Sequence, residues 1–210
     1  MRKSTLFKPT SFWGKLPRGL GKSVVLSIAG VLSASLAFAQ MSGSYTINSG
    51  NPTSGTNFNS FTRFTGFLAS QSNSISGAVT VEVVSGSGPY TETITIPTIQ
   101  GTGPGPGNSR IGITIIGNGE KITYNGGSTS NATIELNGAD YITFQNLEIE
   151  RGSSGSYKWG VRLYNGANNI RFDSCTINLA TSYSTSYWVG ILASSSNTSM
   201  YSYGDHTNNL

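Results

Sequence analysis

The sequence predicts an all-β chain of stacked structural repeats, covered at its start by one short amphipathic helix. Three observations predict it. Gly138, Ala139, Ile142, Phe144, Leu147 and Ile149 recur as Gly166, Ala167, Ile170, Phe172, Cys175 and Ile177, a constant offset of 28 residues, within the range of stacked repeats. Each unit holds short alternating apolar runs divided by Gly/Asn turns, so it cannot bury its own apolar face and must stack on a copy of itself. Ahead of the repeats, Phe58, Phe61, Phe64 and Leu68 share an arc of about 120° at helical spacing, enough to cover the apolar end of a stack.

The first 39 residues are read apart from the fold. Arg2, Lys3, Lys8, Lys15, Arg18 and Lys22 precede an apolar run, Val24 to Phe38, that ends in Ala37-Phe38-Ala39. That order matches a secretory signal with a cleavage site after Ala39. An uncleaved anchor is the weaker reading, because Ser27, Gly30, Ser33 and Ser35 interrupt a run already short for a span. The whole chain carries +4, but this segment holds six of the 13 basic residues and none of the nine acidic ones. The remainder is therefore −2. The basic balance belongs to the export signal, and nucleic acid is not an expected partner. Cys175, the only cysteine, stands where the preceding unit has Leu147 and reads as a buried apolar substitute; a reactive thiol is the sharper alternative.

Residues 40–56 read as a leader with one short edge strand at Ser44–Ile47. The helix is placed at about 57–70, with Asn57 as its N-cap. Strands follow at Ala78–Val84 and Thr91–Ile96, and Gly101–Asn108 is a Gly-Pro loop. Further strands run from Ile111–Ile116 and Lys121–Tyr124 through both repeat units to Val189–Ala193, so residues 57–193 form the stack. Residues 194–210 are polar and read as the poorly ordered end of a truncated stack, for which further repeats of the same chain are the expected neighbours. Asn146 falls at a tight corner suited to left-handed backbone, and Ser174 takes its place one repeat on.

Thr56-Asn57-Phe58-Asn59-Ser60-Phe61, Ile75–Val83, Tyr90-Thr91-Glu92-Thr93-Ile94-Thr95-Ile96, Ile113-Thr114-Ile115-Ile116-Gly117 and Ile142–Ile149 together resemble pectin-lyase-like proteins. The resemblance covers about residues 43–193 and implies a right-handed parallel β-helix, an all-β solenoid with a short N-terminal capping helix. More narrowly, the chain resembles the N-terminal part of large exported bacterial surface proteins of the type IX secretion kind. That implies a secreted or outer-cell-surface location, with no membrane span after signal removal. The fold hosts lyases, hydrolases, adhesins and noncatalytic surface proteins alike.

The motifs of the enzymes in that superfamily are missing. Polygalacturonase-like N-T-D, D-D, G-H-G and R-I-K elements do not occur, nor does the paired-Asp, Arg-Pro-Trp pattern of pectinesterases. The one histidine, His206, stands near the terminus. No catalytic residue, metal ligand or cofactor is therefore assigned. Calcium, which needs several oxygen ligands together, has only Asp140 and Asp173 as nearest candidates, at different places in the repeat. Glu135, Glu148 and Arg162 alternate with apolar residues and read as a solvated strand face, and Glu92 as structural.

The loops after the third strand of each unit are richer. Arg151–Trp159 and Ala180–Trp188 occupy equivalent places and both end in aromatics, on the flank that forms the polysaccharide cleft in the related proteins. Tyr157, Trp159, Tyr183, Tyr187 and Trp188 are candidates to stack on sugar rings, with Arg151 and Lys158 meeting carboxylates or hydroxyls. Against this stands a reading in which Trp159 and Trp188 pack down as loop anchors. The leading expectation is a noncatalytic β-helix domain for adhesion, display or glycan binding. The alternative is a polysaccharide lyase or glycoside hydrolase whose catalytic repeats lie beyond residue 210.

Overall fold

The computed structural model describes residues 40–70, 74–126, 131–180, 187–196 and 198–199. The predicted signal therefore lies outside the described residues. The domain opens with β1 (Met41–Ile47), β2 (Asn57–Phe58) and helix α1 (Phe61–Ser70). A first pass of three strands follows: β3 (Ile75–Val83), β4 (Tyr90–Thr91) and β5 (Ile94–Pro97). The Gly-Pro segment is not wholly loop, since β6 (Gly103–Pro104) pairs antiparallel with β7 (Arg110–Ile111). The second pass is β8 (Ile113–Ile116), β9 (Lys121–Tyr124) and β10 (Ala132–Asn137). The third is β11 (Ile142–Gln145), β12 (Glu148–Arg151) and β13 (Tyr157–Tyr164). The fourth is β14 (Arg171–Asp173), β15 (Thr176–Leu179) and β16 (Tyr187–Ala193).

The domain is mostly β, and three parallel sheets organise it. They run β14-β11-β8-β3-β1-β2, β15-β12-β9-β4 and β16-β13-β10-β5. Each pass thus contributes one strand to each sheet in the same order, and like residues fall into register across passes. Val81, Ile115, Phe144 and Phe172 form one column, and Tyr90, Ile122, Ile149 and Ile177 another. Ile94, Ile134, Val161 and Ile191 form a third. Alternation along a strand sends every second side chain to one face, and all of these residues except the exposed Ile191 lie in the core or pack against it.

The repeat is less uniform than its sequence offset. Phe144 pairs with Phe172 and Ile149 with Ile177, an offset of 28, but Leu136 pairs with Leu163, one residue less. The extra residue sits in the corner after β13. There Asn165 (φ 54°) and Gly166 (φ 76°) are both left-handed, where the pass below uses Gly138 alone (φ 67°). The corners between the first and second sheets behave as expected, with Asn146 at φ 46° and Ser174 at φ 56°.

Two expectations at the N-terminal end are corrected. The leader is not peripheral: β1 lies inside the first sheet, parallel to β3 on one side and β2 on the other. Asn57 does not cap the helix, which begins at Phe61. It belongs to β2, where its side-chain oxygen accepts a bond from the Thr46 hydroxyl (2.8 Å) and its amide donates to the Pro52 carbonyl (3.0 Å). Ser60 is the cap, its hydroxyl accepting from the Arg63 N–H (3.1 Å). Glu92, between β4 and β5, adds a carboxylate that accepts the Phe61 N–H (3.0 Å), the Thr62 N–H (2.8 Å) and the Thr62 hydroxyl. A negative charge at a helix N-terminus meets both the unpaired N–H groups and the positive end of the dipole. Phe61, Phe64 and Leu68 are buried beneath this cap, with Phe61 edge-on to Tyr90 at 5.1 Å.

Because Glu92 ties the first pass to the helix start through charged hydrogen bonds, Glu92→Ala should destabilise the domain by about 2 kcal/mol. Urea unfolding monitored by circular dichroism would check this, and the Glu92→Gln variant should recover part of the loss.

Candidate functional site

The parallel register between β13 and β16 builds the aromatic flank. Tyr157 pairs with Tyr187, Lys158 with Trp188 and Trp159 with Val189. Neighbouring strands lie about 4.8 Å apart, which is close to the spacing of stacked rings. Tyr157 and Tyr187 accordingly stack, with centroids 5.3 Å apart and planes 15° from parallel. Tyr187 is 49% exposed and Trp188 37%, the two most exposed large aromatics among the described residues.

Trp159, Lys158 and Arg151 are not at the surface. Trp159 is fully buried with Ala132 and Leu192, in a small apolar cluster separate from the main core, and its indole N–H has no hydrogen-bond acceptor among the described residues. The two tryptophans thus part ways: Trp159 anchors, while Trp188 is partly presented. Lys158 is buried with its ammonium 5.5 Å from the Trp188 ring. Tyr183 lies outside the described residues.

Arg151, the last residue of β12, is also fully buried. Its Nε donates to the Asn131 carbonyl (3.2 Å), Nη1 to those of Tyr124 (3.1 Å) and Gly152 (3.2 Å), and Nη2 to that of Gly126 (2.8 Å). The guanidinium also sits 4.9 Å from the Tyr124 ring. Burial pulls its pKa below the ordinary arginine value.

Arg162, expected on a solvated face, is buried as well. The chain after β16 folds over it, so Nε donates to the Ser194 carbonyl (3.0 Å) and Nη2 to that of Ser195 (2.8 Å). Glu135 lies 3.7 Å away and the Tyr164 ring 4.0 Å. Burial first, then Glu135, raises the Tyr164 pKa. The second sheet carries an open network instead. Lys121 reaches Glu150 (2.8 Å) and Glu148 (2.9 Å), and the Thr123 hydroxyl donates to Glu150 (2.9 Å).

The residue pattern did not signal a second concave region, on the first sheet. Register aligns Thr80, Thr114 and Thr143 in one column that ends at Arg171. Arg110 lies beside it, 5.8 Å over the Tyr141 ring, and Tyr141 holds a left-handed φ of 56°, an uncommon state for a bulky residue. The Thr recurring in Ile113-Thr114-Ile115 and Ile142-Thr143-Phe144 is the signal that points to this column. Asp140 has a buried carboxylate oxygen without a hydrogen-bond partner among the described residues, while Asp173 pairs with Arg171 at 3.1 Å. Among the described residues, no three His, Cys, Asp or Glu side chains converge in a way that could hold a metal. Nor is any helix there long and apolar enough to cross a membrane.

No known protein family, curated protein or solved structure matches the chain.

Two outcomes are expected. Arg151→Met removes four hydrogen bonds to part-buried carbonyls, of which those of Tyr124 and Asn131 keep a backbone N–H donor, and should cost about 3 kcal/mol in denaturant unfolding. Glu150 has its pKa held below 4.5 by its bonds to Lys121 and then Thr123. A depressed carboxylate pKa stabilises the fold above the unfolded value, and that contribution disappears as pH falls through the folded value. Stability should therefore drop as pH is lowered from about 5. Glu150→Gln should show a shallower drop in parallel pH-resolved melts.

Proposed function

We propose that this chain is a right-handed parallel β-helix domain, exported to the cell surface or beyond, that binds glycans without turning them over. The fixed order in which each pass visits three parallel sheets supports the solenoid reading. A parallel connection back to the same sheet is right-handed in nearly all proteins, which supports the hand. Export is supported by the basic segment, apolar run and Ala37-Phe38-Ala39 ahead of Gln40.

The observation that carries the binding reading is the stacked Tyr157–Tyr187 pair, whose Tyr187 ring is 49% exposed. Aromatic faces on a solenoid flank are rigid, since the ladder beneath fixes them, and they meet the C–H faces of sugar rings with little ordering cost. The aromatic flank lacks the paired carboxylates that glycoside hydrolysis requires. Adhesion or display at the surface follows from the same contact. Further passes of the same chain are the proposed neighbours of β14, β15 and β16.

Purified protein should be retained on immobilised polysaccharide and should release no reducing ends or unsaturated products from pectin, alginate or β-glucan. Measurable turnover of any of these would overturn the noncatalytic reading.

A further inference from the structure

The chain contains four Asn-Gly steps, Asn118-Gly119, Asn125-Gly126, Asn137-Gly138 and Asn165-Gly166. Such a step can cyclise without an enzyme, because glycine carries no Cβ to hinder its own nitrogen. The glycine nitrogen loses its proton and bonds to the Asn Cγ. The Cγ–Nδ2 bond breaks, and Nδ2 leaves with that proton as ammonia. Water then opens the succinimide to aspartate or isoaspartate. The fold treats the four steps differently, and we propose that Asn125 is the modification site, the residue that deamidates first in the folded chain.

Ring closure needs a free glycine N–H and a carboxamide able to turn toward it. At two steps the backbone already holds the nucleophile. The Gly119 N–H donates to the Asn146 carbonyl (2.7 Å) and the Gly138 N–H to that of Tyr164 (2.9 Å). Asn118 is tied further, its amide donating to Glu82 and to the Val83 carbonyl (2.9 Å each). The Gly126 and Gly166 N–H groups make no hydrogen bond among the described residues, and Asn125 and Asn165 are both exposed.

These two differ in what touches the carboxamide. Asn165 donates through Nδ2 to the Asn137 side-chain oxygen (2.6 Å), which restrains the nitrogen that must leave. Asn125 instead accepts the Ser154 N–H at Oδ1 (3.1 Å). Oδ1 stays outside the forming ring and gains negative charge as Cγ becomes tetrahedral, so this N–H acts as an oxyanion donor. Gly152 leaves room for the arrangement, since a Cβ there would collide with the Asn125 carboxamide. Charge assists the nucleophile as well. Arg151 donates to the carbonyls of Tyr124 and Gly126, on either side of Asn125, and a nearby cation favours the deprotonated form of an N–H.

The test follows the full chain by site-resolved peptide mass spectrometry during incubation in mildly alkaline buffer, folded and in urea. In the folded chain Asn125 should convert about tenfold or more faster than Asn118 and Asn137, with Asn165 between them. In urea the four rates should converge. Gly152→Ala, which displaces the Asn125 carboxamide from the Ser154 N–H while keeping every backbone donor, should slow Asn125 about tenfold and leave Asn165 unchanged. A variant that unfolds would show the urea pattern, and the native chain with and without urea then decides. Equal rates at all four steps in the folded chain, or a faster rate at any step other than Asn125, would overturn the proposal. So would a preference for Asn125 that persists in urea, since it would belong to local sequence. Undiminished conversion in folded Gly152→Ala would overturn the role given to Ser154.

Discussion

The structure depends on one constraint, the parallel hydrogen-bonded ladder between successive passes. A strand of four residues, such as β11 or β12, is too short to hold itself, and its backbone groups are satisfied only by the strands above and below. Register follows from the same constraint. A slip of one residue would turn Ile142 and Phe144 out of the core and bring Thr143 and Gln145 into it. The apolar columns and the ladder therefore select the same pairing. Phe144 stacks on Phe172 with centroids 5.2 Å apart and planes within 7°, because the rungs already hold them at that spacing.

Among the described residues, the first and fourth passes are covered differently. At the start, β1 and β2 extend the first sheet while α1 buries Phe61, Phe64 and Leu68. Glu92 reaches from the first pass to satisfy the helix N–H groups, so helix and ladder depend on each other. A ten-residue helix containing Gly66 and two threonines would not persist alone. In the fourth pass the columns are more open. Ile191 is 37% exposed, whereas Val161 directly below it is buried, and Phe172 and Ile177 are only partly covered.

Much of this was legible in the sequence, because a period acts on every residue that obeys it. Ile142, Phe144, Leu147 and Ile149 announce their stacking partners, and Asn146 announces its left-handed corner. The extra residue after β13 was not legible, since Asn137-Gly138 and Asn165-Gly166 look alike while only the second pair has both members left-handed. Asn57 resembled a cap, yet Ser60 lies nearer the helix and takes the Arg63 N–H, while the Glu92 carboxylate takes those of Phe61 and Thr62. The buried cations were hidden for a different reason. Arg151 and Arg162 find carbonyl partners, which every residue carries, so no side-chain pattern marks where a guanidinium will be absorbed.

Those absorbed cations shape the candidate site. Arg151 holds the carbonyls of Gly126 and Asn131, on either side of residues 127–130, to the end of β12, and Arg162 holds Ser194 and Ser195 against β13. A buried guanidinium without its acceptors would be costly, so both arginines are held to these carbonyls. The rings of Tyr157 and Tyr187 are in turn set by the rung spacing rather than by the loops that precede them. The flank is therefore organised before any ligand arrives, which is the condition under which a few exposed rings can bind usefully.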